Sequence, residues 1–226
     1  MVKINLTFDV EEQEGGNPFS KGCDGVLNIL RLLKRRNIKA IFFITAVYAE
    51  NFPELIKRIS ADGHEIGCHG YDHKSEYDEL SDVIALRKLS SARKLLMELS
   101  CQKVLSFRAP RMLPPKLNII KKAGFRYDYS LHPAWVPGRY FNLLKSRKCQ
   151  IKNGVKIIPA TVTPIFRLPL SWIWFKFYPL PILKILTRLA LINQDKITLY
   201  FHNWEFDDAN KLKKLEKYIK FLKELN

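Results

Sequence analysis

Residues 25–45, GVLNILRLLKRRNIKAIFFIT, contain an amphipathic stretch that is followed at once by a short apolar run. The apolar side chains of the first part recur at the spacing of one helix face, at Val26, Ile29, Leu30 and Leu33. This spacing predicts a helix over 25–36, and the Ile- and Phe-rich run over 40–45 predicts a strand that is buried on both faces. Residues 2–8 alternate apolar and polar side chains and predict an earlier strand that ends at Asp9. Together these elements form a strand–helix–strand unit.

The alternation of strands and helices continues toward the C-terminus, after an acidic, glycine-containing stretch up to Asn17 that is predicted to be a loop. Further strands are predicted at 65–68, 104–107, 125–129, 155–161 and 197–202, and further helices at 53–60, 78–100, 115–123 and 208–225. Units of this kind build a parallel sheet covered by helices, either an open doubly wound sheet or a barrel. A chain of 226 residues forms one such domain, or at most two small ones.

The charge of the chain is unevenly distributed. The sequence has 38 Lys and Arg residues against 22 Asp and Glu residues, a net charge of +16 at pH 7. Residues 129–194 contain ten of the basic residues and no acidic residue. This pattern predicts a local basic surface that meets an anionic partner. The apolar fraction of 47% excludes a disordered chain, and no uncharged apolar run reaches the roughly 18 residues of a membrane span.

Four cysteines, Cys23, Cys68, Cys101 and Cys149, are too widely spaced for a CxxC pattern. We expect them to be buried thiols in a reducing compartment. The N-terminal residues show no apolar region of the signal-peptide type, so a cytoplasmic location is the default expectation.

Polar side chains lie at the ends of several of the predicted strands, namely Asp9, His69, Arg108, Asp128 and His202. In parallel α/β folds, functional groups lie at the carboxyl ends of the strands. Side chains that merely satisfy hydrogen bonds in a core would not be expected at so many strand ends. The pattern therefore predicts one functional site at this edge of the sheet.

His69 and His73 lie four residues apart after a predicted strand, a spacing at which both rings can face one ion. The carboxylates of Asp9, Glu11 and Glu12 follow another buried strand, where a nearby cation would relieve their mutual repulsion. A turn with two histidines and a solvated acidic loop is the alternative. Two imidazoles and one carboxylate would leave coordination positions open for water and substrate, as hydrolytic metals require.

Hydrolysis also requires a base and an acid. A second carboxylate could accept a proton from water, and His202 could protonate the leaving group. Arg108 could hold the catalytic carboxylate through a bidentate pair. These residue types together predict a hydrolase.

Five motifs in this order resemble those of the polysaccharide deacetylases of carbohydrate esterase family 4. They are Thr7-Phe8-Asp9-Val10-Glu11, the stretch GHEIGCHGYDH from Gly63 to His73, Phe107-Arg108-Ala109-Pro110, Phe125-Arg126-Tyr127-Asp128-Tyr129-Ser130, and Leu199-Tyr200-Phe201-His202. The second motif is the most specific, and the resemblance spans roughly residues 2–205. It implies one catalytic domain over 1–226, a distorted (β/α) barrel with about seven parallel strands. It also implies metal-dependent removal of an N-acetyl or other acyl group from an amino sugar in a poly-, oligo- or lipid-linked saccharide.

The resemblance also assigns roles to individual residues. It implies that Asp9 is the general base, His202 the general acid and Arg108 the residue that orients Asp9. It implies His69 and His73 as metal ligands.

The third ligand follows from the branch of the family. Many members carry adjacent aspartates, whereas here Val10 follows Asp9, so the branch with an Asp-Val-acid pattern is the closer match. Glu11 becomes the candidate ligand, with Glu12 as the alternative. The fourth motif implies that Asp128 and the later Trp135 lie near the site. The ligand set predicts zinc, and cobalt or nickel would suit it as well.

Residues 164–193, PIFRLPLSWIWFKFYPLPILKILTRLALIN, combine six aromatic and four basic residues. One interpretation is a loop and a core helix with an inward face made of Leu183, Leu186, Leu189 and Ala190. The other is a peripheral contact with anionic lipid headgroups at the inner membrane face, which would give access to a lipid-linked sugar.

Two other functional classes are weighed. Nucleic-acid binding would fit the charge, but the sequence has no recognition motif, so this partner is not expected. A non-catalytic carbohydrate- or nucleic-acid-binding protein of the same fold is the alternative to an enzyme.

Overall fold

A computed structural model describes residues 2–12 and 23–225. In these ranges the strands are β1 (Lys3–Val10), β2 (Ile41–Ile44), β3 (Glu65–Cys68), β4 (Ser106–Phe107), β5 (Tyr127–Asp128), β6 (Trp135–Val136), β7 (Tyr140–Phe141), β8 (Gln150–Lys152), β9 (Val155–Ile157) and β10 (Lys196–His202). The helices are α1 (Cys23–Arg36), α2 (Ala46–Asn51), α3 (Pro53–Ala61), α4 (Asp82–Ser100), α5 (Leu117–Lys122), α6 (Trp172–Phe177), α7 (Leu180–Ala190) and α8 (Ala209–Lys223). Short 3₁₀ turns cover Pro110–Met112 and Asn203–Asp207. The loop predicted after Asp9 lies largely outside the described residues.

Within the described residues, eight strands form one sheet in the order β10-β1-β2-β3-β4-β5-β9-β8. All neighbours pair in parallel except β8 and β9, which form an antiparallel hairpin. The sheet curls into a half-barrel flanked by helices. Thr161, in the segment that follows β9, bonds through its backbone N–H to the carbonyl of Thr198 on β10 (2.9 Å), so this segment lies against the β10 edge of the sheet. The predicted distorted (β/α) barrel with about seven parallel strands is confirmed.

Apolar packing explains why these segments adopt this arrangement. The inward side chains predicted for α1 are all buried, and β2 is buried along its whole length. Phe8 of β1 stacks on Phe42 of β2 with ring centroids 5.3 Å apart and contacts Phe201 of β10. Burial of such rings is a main source of stability in a core. The first strands of the sheet are therefore rigidly fixed beneath the site.

His64 belongs to this core and lies outside the site. Its Nδ1 accepts a hydrogen bond from the backbone N–H of Ala40 (3.3 Å), and its ring packs on Phe42. Burial, with a smaller contribution from the charge of Lys39, lowers the pKa of His64 to about 4. The ring is thus a neutral acceptor that links α3 to β2.

The segment 164–193 has a buried side and an exposed side. Leu183, Leu186 and Ala190 are buried as predicted, but Leu189 is 42% exposed and the prediction for it is wrong. At 100° per residue, Leu189 lies about 120° around the helix from Leu183, outside the buried face of α7. No helix in the described residues is long and apolar enough to cross a membrane.

The cysteine prediction is partly wrong. Cys68 is buried and Cys23 is half-buried, but Cys101 and Cys149 are exposed, and all four are free thiols. Cys101 ends α4 in a left-handed conformation (φ 54°), at the surface end of that helix. Neither exposed cysteine lies on an apolar helix face that would bury its thiol.

Candidate active site

Three potential metal ligands converge at the carboxyl ends of β1 and β3. Oε2 of Glu11 lies 2.7 Å from Nε2 of His69 and 3.3 Å from Nε2 of His73. All three donor atoms lie within 4.8 Å of one another. Glu11 and His69 are almost fully buried, and His73 is partly buried. Gly70 (φ +84°) lets the chain turn sharply after β3, which returns His73 toward His69.

The tautomer of His69 suits a cation. Its Nδ1 lies 2.9 Å from the backbone carbonyl of Arg108, which can only accept, so Nδ1 carries the proton. In the neutral ring, Nε2 then presents its lone pair to Oε2 of Glu11. Among the described residues no donor is aligned with this buried oxygen in hydrogen-bond geometry. A cation between the carboxylate and the two imidazoles would satisfy these atoms, so the residues fit a divalent metal.

Glu12 has a different role from Glu11. One of its carboxylate oxygens accepts from the backbone N–H of His73 (2.8 Å), and the other accepts from the hydroxyl of Thr45 (2.7 Å). Both oxygens are therefore engaged in holding the loop that carries His73. Of the two candidate ligands, only Glu11 lies in the cluster with His69 and His73.

Asp9 and Arg108 form a buried ion pair beside the cluster. Nη1 of Arg108 donates to Oδ1 of Asp9 (2.6 Å) and to the hydroxyl of Thr7 (2.9 Å). Arg108 is completely buried, and its guanidinium lies 4.3 Å from the ring centroid of Phe43. No described residue hydrogen-bonds to Oδ2 of Asp9, which leaves that oxygen available to the pocket.

His202 is the last residue of β10 and lies next to Asp9, because the register pairs these two residues across β1 and β10. Its Nε2 lies 3.9 Å from Oε1 of Glu11, and its Nδ1 lies 3.1 Å from Oε1 of Glu205. The ring stacks on Trp204 (4.6 Å between centroids) and meets Trp172 edge-on. Nδ1–H therefore donates to Glu205, and Nε2 faces the site.

The site shifts the pKa values of its groups. Burial raises the pKa of Glu11, but the imidazoles of His69, His202 and His73 outweigh this effect, so the pKa is lowered. Burial lowers the pKa of His69, but Asp9 and Glu11 outweigh it and the pKa is raised. The pKa of His202 is also raised, because Glu205 and Glu11 outweigh burial. Carboxylates and imidazoles are thus coupled around one centre that attracts positive charge.

The site opens into a pocket of about 260 Å³. Asp9, Glu11, His69, His73 and His202 line it, and Arg108 lies behind Asp9. The structure thus brings together all six residues predicted for the site.

Several residues of the site are not identified by sequence reasoning. The pocket is also lined by Met112, Arg139, Tyr140, Trp172, Tyr200 and Trp204. Glu205 is missed as well, although its position three residues after His202 could have indicated a partner for that ring. The prediction that Trp135 lies near the site is not supported, since it is 56% exposed and does not line the pocket, and Asp128 lines a different cavity.

The chain is similar to proteins that carry deacetylase names. A family model described as "Polysaccharide deacetylase" matches residues 3–127. The chitooligosaccharide deacetylase of Azorhizobium caulinodans is 30% identical over 147 residues, which are 62% of this chain and 65% of that protein. The peptidoglycan deacetylase of Helicobacter pylori is 27% identical over 176 residues, which are 71% of this chain and 57% of that protein. The match thus spans less than two thirds of the length of either relative.

A solved structure shows the same fold. A CE4 family pseudoenzyme from Bacillus anthracis superimposes with a TM-score of 0.63 at 18% identity, over 99% of this chain and 61% of that chain. At this identity the likeness concerns the fold alone.

Proposed function

The chain belongs to the polysaccharide deacetylase family, and from this premise we propose that it is a metal-dependent hydrolase that removes an N-acetyl or other acyl group from an amino sugar of a saccharide. The observation that carries the proposal is the convergence of the Glu11, His69 and His73 donor atoms within 4.8 Å, beside Asp9 and His202 in one pocket. A ligand cluster, a free carboxylate oxygen and a histidine are the groups that hydrolysis of an amide requires.

Glu11, His69 and His73 would hold the metal. When bound, a divalent ion there supplies a Lewis acid for the acyl carbonyl. Two imidazoles and one carboxylate form a set that zinc accepts readily, and we propose zinc, with cobalt and nickel as alternatives.

Asp9 acts as the general base in this proposal. Oδ1 is held by Arg108, so Oδ2 accepts the proton from the water that attacks the acyl carbon. The buried guanidinium fixes the orientation of the carboxylate.

His202 acts as the general acid. Glu205 holds Nδ1–H, so the proton to be delivered is on Nε2, which faces the pocket. The raised pKa of His202 favours the protonated ring. Transfer of this proton to the amine nitrogen allows the carbon–nitrogen bond to break.

The test is acetate release from acetylated chitooligosaccharides by zinc-loaded protein, with metal content measured on the same samples. Asp9→Asn should abolish release and retain metal, whereas His69→Ala and His73→Ala should lose metal. Asp82→Asn, an exposed aspartate on α4, is the matched control and should behave as wild type. Full metal retention by both histidine variants would contradict the ligand set. Absence of acyl loss from chitooligosaccharides, peptidoglycan fragments and lipid-linked N-acetyl sugars would favour the non-catalytic alternative.

A second proposal concerns where the enzyme acts. Three apolar side chains of 164–193 are strongly exposed: Ile165 (83%), Phe166 (80%) and Phe177 (66%). They lie close in sequence to Trp172, which lines the pocket, and their stretch of the chain has no acidic residue. Exposed apolar side chains flanked by basic ones suit an anionic bilayer surface. We propose that 164–193 contacts such a surface peripherally, at the inner membrane face, next to a lipid-linked sugar. Co-sedimentation with anionic but not neutral liposomes, lost in Phe166→Ser/Phe177→Ser, is expected. Absence from both pellets would reject this contact.

A further inference from the structure

One wall of the pocket comes entirely from the stretch without acidic residues. Arg139, Tyr140 and Trp172 line the pocket, and all three fall within 129–194. The carboxylates of Asp9 and Glu11 line the same pocket. The pocket therefore combines a basic and aromatic part from one stretch of the chain with the carboxylates of the catalytic cluster.

Arg139 is the exposed cation on this wall, and no described residue forms an ion pair with it. Of the two other arginines at the site, Arg108 pairs with Asp9 (2.6 Å) and Arg111 pairs with Glu76 (2.6 Å). Arg139 has no carboxylate partner within the described part of the chain, and its guanidinium lies 5.3 Å from the ring centroid of Trp172. A guanidinium held over an indole keeps its N–H groups free for a planar bidentate anion.

The backbone holds Arg139 in this place. It follows the turn of the β6–β7 hairpin, which is closed by the bond from its N–H to the carbonyl of Val136 (3.1 Å). Trp172 adopts a left-handed conformation (φ 51°), which is a strained state for a bulky residue and is typical of functional positions. The hairpin fixes the backbone of Arg139, and its exposed side chain stays accessible to a ligand in the pocket.

Tyr140 adds a donor whose proton is directed by His132. Nδ1 of His132 lies 2.8 Å from the hydroxyl of Tyr140, and its Nε2 is buried without a partner in the described residues. If Nδ1 accepted, Nε2–H would be a buried donor without an acceptor, which is the costlier state. Burial, with a smaller effect of Arg108, lowers the pKa of His132 to about 4, so the ring is neutral. Nδ1–H therefore donates, and the hydroxyl proton of Tyr140 is free for a ligand in the pocket.

We propose that this pocket binds a saccharide that carries an anionic group, a phosphate or a carboxylate, next to the acylated sugar, and that Arg139 selects it while Tyr140 donates to the sugar. The proposal rests on the proposed function and names its substrate class. A neutral sugar would use Tyr140 but would leave the charge of Arg139 without a partner.

Kinetics with matched probes test the proposal. For the zinc-loaded enzyme, kcat/KM for N-acetylglucosamine 1-phosphate and N-acetylmuramic acid should exceed that for N-acetylglucosamine on the order of tenfold, as expected for charge-assisted hydrogen bonds. Arg139→Gln should remove this preference, and raised salt should weaken it. Arg126 is an exposed arginine directly before β5 that does not line the pocket, and Arg126→Gln should retain the preference. A preference that survives Arg139→Gln would overturn the proposal.

Two further measurements separate the contribution of Arg139 from those of Tyr140 and of a lipid chain. Tyr140→Phe should lower kcat/KM by the same factor for neutral and anionic probes; selective loss of the anionic preference would assign selectivity to Tyr140 instead. The same sugar phosphate linked to a polyprenyl chain in detergent distinguishes the anionic group from the lipid. A preference seen only with the lipid-linked probe would overturn the role of Arg139.

Binding keeps the test independent of turnover. Calorimetry of zinc-loaded protein should show tighter binding of glucosamine 1-phosphate than of glucosamine, with the ratio reduced on the order of tenfold in Arg139→Gln. Any attraction of phosphate to the metal is the same in both proteins and cancels in this comparison. If wild type and Arg139→Gln give the same ratio of affinities, the anionic-group proposal is overturned, whether or not acyl release is found. If the ratios differ as expected but no acyl release is found, only the proposed reaction is contradicted.

Discussion

The buried pair of Arg108 and Asp9 allows a quantitative test of the site's construction. Arg108→Met retains an apolar stem beside Phe43 and removes the guanidinium that lies 2.6 Å from Oδ1 of Asp9. Because Asp9 is 2% exposed, its carboxylate would be left buried without a counter-charge. Breaking such a pair costs about 3–5 kcal/mol, and we expect the free energy of unfolding to fall by about that amount.

A double-mutant cycle separates this effect from lost packing. Asp9→Asn alone leaves Arg108 buried and charged, and should also be destabilising, but Arg108→Met/Asp9→Asn removes both charges. The loss of unfolding free energy in the double variant should therefore be smaller than the sum of the two single losses by about 2 kcal/mol or more. Urea unfolding at pH 7 with a chelator measures each free energy without a contribution from metal. Arg126→Met, at the surface, should change stability by less than about 0.5 kcal/mol.

Two outcomes would refute this reasoning. A loss below about 1 kcal/mol in Arg108→Met would mean that Asp9 gains solvent or another partner when the guanidinium is absent. Additive effects in the cycle would mean that the two side chains do not stabilise each other. Either result would also remove the basis for Arg108 as the residue that orients the base.

Three further predictions concern the contacts around the site and in the core below it. Glu12→Ala should weaken zinc binding by about tenfold, because the loop that carries His73 loses the carboxylate that holds it. Glu12→Gln keeps an acceptor for the His73 backbone N–H, so its zinc affinity should fall less. Competition with a chromogenic chelator measures both affinities. Glu205→Gln should lower the pKa of His202 and shift the alkaline limb of the kcat–pH profile to lower pH. An unchanged alkaline limb would contradict the role of Glu205 as the acceptor of the His202 Nδ1–H. His64 has a pKa of about 4 in the fold, below the ordinary value of about 6.5, so the unfolded chain binds more protons between these two pH values. The free energy of unfolding should therefore fall by about 3 kcal/mol as the pH drops from 6.5 to 4. Urea unfolding of His64→Gln should show a weaker dependence of this free energy on pH.

Elements with strong periodicity are predicted well from sequence, and short ones are not. The apolar face of α1 and the buried run of β2 are found close to their observed bounds, because each combines a clear period with a buried surface. The hairpin of β6 and β7 is missed, because strands of two residues have no detectable period. This hairpin brings Arg139 and Tyr140 to the pocket, so sequence reasoning misses part of the pocket lining as well.

The same distinction applies within the site. His69, His73 and Glu11 come from short motifs at strand ends, and topology alone brings such ends together. Whether Glu11 or Glu12 belongs in the cluster is not decided by sequence, because it depends on the direction of each side chain after β1. In the structure, Glu12 turns toward the hydroxyl of Thr45, and only Glu11 reaches the histidines.

The two parts of the chain contribute different kinds of residue to the pocket. The matched family model covers residues 3–127, which supply Asp9 and all three candidate ligands. Beyond residue 127 the chain supplies His202 and the wall that carries Arg139 and Trp172. In the proposed reaction, the first set and His202 are needed for any substrate, whereas the wall with Arg139 and Trp172 would contact what surrounds the acyl group. Substitutions at Arg139 should therefore change which saccharide is used, and substitutions in the first set should change whether any is used.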